Sequence, residues 1–125
     1  MSLPALAAVL YAIACLGVIG FQIALIAGAP WGRLTQGGAH DGPLPLSGRI
    51  AAGVSILIIA AQALALLSLV GFWPHWPAWT AWVAVIVQTV SCGLNWITPS
   101  PRERALWGPV TSTMLALALV VLIFA

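Results

Sequence analysis

The chain is 125 residues long, 62% apolar and 5% charged, with a formal net charge of +2. An average soluble domain is about a quarter charged, so six charged side chains exclude a soluble globule, and the high hydropathy excludes disorder. Four arginines without a lysine make no basic face for nucleic acid, which leaves an integral membrane protein in one small domain.

A helix needs about 20 mostly apolar residues to cross a bilayer. Four segments supply them, at about 4–28, 48–72, 77–97 and 101–125. Ser2 is placed to cap the first, with Pro4 near its first helical position, where the missing N–H costs nothing. Gly28-Ala29-Pro30 ends it. It has no basic leader region, and its apolar run is too long for a signal peptide. Ala12-Ile13-Ala14-Cys15 has only a faint likeness to a lipoprotein cleavage site.

The loop 29–47 is rich in Gly and Pro, and Gly37-Gly38 and Asp41-Gly42-Pro43 are turn chemistry. Its glycines suit an anion-binding nest near Arg33 or Arg49. No phosphate-loop pattern accompanies them, and a headgroup-level turn with arginines on anionic lipid is the better reading. Ser47 is positioned to cap span two, and Pro74 follows its end. Pro77 opens span three and Pro99 stops it. Ser100-Pro101-Arg102-Glu103 reads as a capping box that starts span four. Pro109 within that span predicts a kink or short break, with Thr111, Ser112 and Thr113 at hand for freed backbone groups. Trp31-Gly32 and Trp107-Gly108 form a faint internal echo, too small to establish a repeat.

With four spans, Arg33, Arg49, Arg102 and Arg104 all fall at one side, together with Asp41 and Glu103. The other side has no charged side chain. Positive residues mark the cytoplasmic face, so both termini are expected outside. Trp73, Trp76 and Trp79 crowd the outer turn, with Trp82 one turn deeper, and Trp31, Trp96 and Trp107 sit near the inner boundary. This is the distribution of interfacial belts. An aromatic box for a quinone, pigment or cation is the alternative.

Gln22, Gln62, Gln88 and Asn95 are the strongest polar groups within the spans. Unpaired amides facing lipid are costly, so they are expected to face one another. Tyr11, Cys15, Val18 and Gln22 share one face of helix one. Ala51, Ser55, Gln62 and Ala65 share one on helix two, and Ala81, Ala84, Gln88, Ser91, Cys92 and Asn95 one on helix three. Gly108, Ser112 and Ala116 form a small-residue row on helix four. Depth pairs Gln62 with Gln88 near mid-membrane, and Gln22 with Asn95 toward the cytoplasm. The seam reads either as helix-bridging glue or as a polar cavity for a small ligand.

Cys15 and Cys92 lie in different spans with no C-x-x-C, which excludes a quinone-linked disulfide-forming enzyme. His40 and His75 fall on opposite sides and cannot jointly hold a haem or metal ion, so no metal or cofactor is expected. No acidic residue lies inside the first span, where small multidrug transporters carry a glutamate. The unanimous charge bias argues against dual-topology fluoride channels. No catalytic set meets at one depth, and an enzyme acting on lipid near Arg33, Arg49, Glu103 and Arg104 is the weakest reading.

Two stretches carry a resemblance. One is Gly28-Ala29-Pro30-Trp31-Gly32, then Gly37-Gly38, Gly42-x-Leu44-Pro45 and Arg49. The other is Asn95-x-x-Thr98-x-Ser100-x-x-Glu103-Arg104-x-x-Trp107-x-Pro109. Together they resemble an uncharacterised family of small four-span bacterial inner-membrane proteins. The resemblance implies that fold and membrane, and no activity. The expectation is thus an all-α bundle of four transmembrane helices in one domain. Its leading function is that of a non-enzymatic accessory or structural subunit, packing among lipids against other membrane subunits or its own copies. The alternative is a binder or transporter of a small neutral or lipid-like molecule at the amide seam.

Overall fold

A computed structural model describes all residues, 1–125. The chain forms four helices, α1 (Leu3–Ile26), α2 (Leu46–Leu69), α3 (Ala78–Ile97) and α4 (Pro101–Phe124), with no strand. Each is long and apolar enough to cross a membrane. Every helix packs on its chain neighbours, and α1 closes the ring against α4. The termini and the 70–77 turn lie at one end of this bundle, and the 27–45 connection and the 98–100 turn at the other. All six charged side chains belong to this second, loop end.

The boundaries follow local chemistry. Ser2 accepts from the Ala5 amide at 3.2 Å and caps α1. Gly28 and Gly71, at φ of 102° and 94°, end α1 and α2 in matching Schellman motifs: Ala29 N–H reaches Ala24 C=O, and Phe72 N–H reaches Leu67 C=O. The expected cap at Ser47 is not used. Helix α2 starts two residues earlier, at Leu46 behind Pro45, without a side-chain cap. Leu44 is drawn into a small cluster with Leu25 and Ala52, and this fixes where the chain turns upward. Helix α4 runs unbroken across Pro109. The hydroxyls of Thr111 and Thr113 donate to the carbonyls four residues back, Trp107 and Pro109.

The main core occupies the terminal half. Ala7, Ala8, Tyr11 and Cys15 of α1 meet Ala65 and Leu66 of α2, Ala81, Ala84 and Val85 of α3, and Met114, Ala118 and Val121 of α4. Small side chains let helix backbones approach closely where lipid supplies no hydrophobic drive to associate. Toward the loop end the small residues give way to Phe21, Ile58, Ile59 and Trp107, and the helices stand around a cavity.

Candidate functional site: an amide-lined cavity

The floor of the cavity is one chain of hydrogen bonds that visits every helix. Gln62 Nε2 of α2 donates to the Tyr11 hydroxyl of α1 at 3.1 Å. Tyr11 in turn donates to Gln88 Oε1 of α3 at 2.7 Å, and Gln88 Nε2 donates to the Thr111 carbonyl of α4 at 3.1 Å. Gln62 Nε2 also lies 3.4 Å from Gln88 Oε1. The expected Gln62–Gln88 pairing is therefore present, with Tyr11 as its stronger bridge. A buried polar group needs such partners, and a fully connected set fixes helix rotation and depth together.

Above this floor lies a cavity of about 820 Å³, within the range of small-molecule sites. Gln22, Gln62, Gln88 and Asn95 all line it. The expected Gln22–Asn95 pair does not form. Asn95 Nδ2 folds back on its own helix, to the Ser91 carbonyl at 2.8 Å and the Ser91 hydroxyl at 3.5 Å. The Gln22 amide has no protein partner, and neither has Asn95 Oδ1 or Gln62 Oε1. None of these atoms is sealed from the cavity space. The lips Ile58, Ile86, Val90, Leu94 and Ile97 are exposed, so the cavity opens sideways between α2 and α3.

The 27–45 connection folds over the loop end as a lid. Two short 3-10 turns, Gly32–Leu34 and Gln36–Gly38, carry it across. Ser100 Oγ donates to Arg33 C=O at 2.5 Å, and Trp107 Nε1 donates to Leu34 C=O at 2.9 Å. Gln36 Nε2 donates to Gly48 C=O at 2.8 Å. Gly32 sits so tightly that a Cβ would lie 2.7 Å from the Gly42 carbonyl oxygen and closer still to that of His40. Only a glycine fits there.

The charged residues of this end separate into distinct roles. Arg49 is an internal clamp, its Nε on Leu44 C=O at 2.9 Å and Nη1 on Ile26 C=O at 3.3 Å, at the C-terminal end of α1. Arg33 pairs with Asp41 at the exposed surface, Nη2 to Oδ2 at 3.0 Å. The Arg33 guanidinium holds the Asp41 carboxyl below the usual carboxylate range. Arg104 Nη2 reaches Thr98 C=O at 3.4 Å, and Arg102 is exposed. Glu103 is the exception: it is 7% exposed and lines the cavity. The capping box forms by half. Ser100 Oγ accepts from the Glu103 amide at 3.2 Å, but the Glu103 carboxylate turns to the Gly37 N–H at 3.4 Å. The Ser100 amide goes instead to Thr98 Oγ1 at 3.3 Å.

The tryptophans divide similarly. Trp31, Trp73, Trp76, Trp79, Trp82 and Trp96 are exposed, as belt residues are. Trp107 is not one of them. Its ring meets Phe21 edge-on with centroids 4.8 Å apart, and it lines the cavity. Trp96 lies over Gly108 and donates to Ser112 Oγ at 2.9 Å, which accounts for the upper part of the small-residue row. Ala116, like Ala51 on α2, is exposed.

Sequence reasoning did not place Gln36, Thr98 or Trp107 at the cavity. Trp107 has the spacing to find it, four residues before the seam-facing Thr111. No local signal marks Gln36, whose position depends on the path of the loop. No family model, curated protein or solved structure matches this chain.

Proposed function

We propose that this small four-span membrane protein binds a small amphipathic molecule in the amide-lined cavity. The molecule enters sideways from the lipid between α2 and α3. One observation carries the reading: all four intramembrane amides line a single cavity, and Gln22 there is without a protein partner. An unpaired intramembrane amide is costly, and a ligand in the cavity supplies its partner. The ligand's apolar body lies against Phe21, Ile59 and Met114, and its polar group meets Gln22, Gln62 Oε1 and Asn95 Oδ1. Within the same proposal the loop end faces the cytoplasm of a bacterial inner membrane, because every arginine lies there.

The test is gentle extraction from native membranes, followed by mass spectrometry of the intact protein. A small amphipathic molecule retained one-to-one by the wild type and lost from the Gln22→Leu, Gln62→Leu double variant is the expected result. A bare bundle, or a stoichiometric larger complex holding no small molecule, overturns the reading.

A further inference from the structure

We propose that the ligand is a cationic amphiphile whose ammonium group is held by Glu103. This rests on the binding reading above and names the chemical class of the ligand. Glu103 is the one acidic side chain at the cavity, 7% exposed, and its carboxylate accepts a single hydrogen bond, from Gly37 N at 3.4 Å. That distance is at the long end for hydrogen bonding. No arginine neutralises it. The chain's one ion pair is Arg33–Asp41, Arg104 is turned to Thr98, and Arg102 faces solvent. The other carboxylate oxygen is unpaired and faces the open cavity, and a cation entering there supplies the missing partner through a charge-assisted bond.

The surroundings suit an organic ammonium better than a bare metal ion. No group of three His, Cys, Asp or Glu is placed to hold a metal. Phe21 and Trp107 line the same cavity, and aromatic faces attract ammonium groups. The Trp107 ring is pinned there by its bond to Leu34 C=O. Glu103 and Thr111 stand eight residues apart on α4, so the carboxylate level and the amide floor are about 12 Å apart along the helix. The lining carries apolar side chains such as Phe21, Ile59 and Met114 beside the amides of Gln22 and Asn95. A ligand with an ammonium at one end and an amphipathic body thus matches the cavity along its length. Such an ammonium belongs either to a free amine or to an aminophospholipid.

The experiment uses the full chain in uncharged maltoside micelles, with binding to protein-free micelles subtracted. The probes are decylammonium and the matched neutral alcohol, decanol, each titrated by calorimetry. The wild type is expected to bind decylammonium at least about ten-fold more tightly than decanol, as one charge-assisted contact implies. Glu103→Gln keeps an acceptor for Gly37 N–H and removes the charge; it should abolish this preference and leave decanol binding unchanged. Equal affinities in the wild type, or a preference that survives Glu103→Gln, overturn the cation proposal while the binding reading stands. If neither probe binds the wild type, the cation proposal falls, and the mass spectrometry of the natively extracted protein decides the binding reading separately. The wild-type comparison decides the matter even where Glu103→Gln does not fold. Phosphatidylethanolamine added to the micelles identifies the source. Competition with decylammonium assigns the ammonium to a lipid, and absence of competition assigns it to a free amine; both outcomes support the carboxylate site.

Discussion

The two halves of the bundle solve the same packing problem in opposite ways. In the terminal half, Ala8, Ala81 and Ala118 are completely buried, and the helices close on one another through small side chains. In the loop half the helices open around about 820 Å³; α1 stays on α2 through Leu25 and Ala52, α3 stays on α4 through Trp96 and Gly108, and the folded connection spans the end. The boundary is the Gln62–Tyr11–Gln88–Thr111 chain of hydrogen bonds. A polar layer at that depth ties all four helices, so the half above it can stay open without the bundle losing its register.

The largest effect that separates the halves is expected from Gly32→Ala. Its Cβ would press on two backbone carbonyls that cannot rotate away. Overpacking of this kind costs about 3 kcal/mol, relieved here by releasing the lid. Helical circular dichroism should be retained while protease cleavage within 32–42 appears. Retention of an uncleaved lid would show that the loop is not held as described.

Gln88→Leu strikes the boundary itself. It removes the acceptor of the Tyr11 hydroxyl and the donor to Thr111, and leaves a buried O–H unpaired. The expected loss is about 2 kcal/mol, read as a lower midpoint for unfolding in detergent, and it should destabilise both halves at once. An unchanged midpoint would mean that the alanine core alone sets the register.

Arg49→Met is smaller and local. Losing the bonds to Leu44 and Ile26 carbonyls is expected to cost about 1 kcal/mol. Hydrogen exchange should quicken at the end of α1 and the start of α2, with the terminal half unaffected.

Asp41→Asn is expected to leave the unfolding midpoint where it is, since the Arg33–Asp41 pair is fully solvated. The sign of its pH dependence is fixed nonetheless. A carboxyl held below its ordinary pKa contributes above that ordinary value, and the contribution fades as the pH falls toward the depressed one. A midpoint that drops between pH 8 and 6 would therefore have to come from another group.

Much of the loop half was beyond one-dimensional reading, and Glu103 shows why. In sequence it completes a capping box, and local spacing predicts that its carboxylate returns to the Ser100 amide. Thr98 takes that amide first, and the lid brings Gly37 N–H to the carboxylate. The Gln22–Asn95 pairing fails for a related reason. Both line the cavity, but Asn95 finds acceptors on its own helix four residues back, at no cost in helix position. Trp107 has the composition of a belt residue and the rotation of a core one. The Gln62–Gln88 contact was legible because two long amides at mid-depth have nowhere else to go.

The sequence by itself determined the number and length of the helices, the gathering of every charge at one end, and the faces along which small and amide side chains run. These follow from transfer free energies and helical periodicity, which sum over local residues. Only the tertiary structure decided which amides bond, that the remainder surround a cavity, and that a carboxylate sits unneutralised at its lid. Those depend on the rotation of four helices and the path of one loop, and hydrogen bonds are decided by fractions of an ångström that no periodicity encodes.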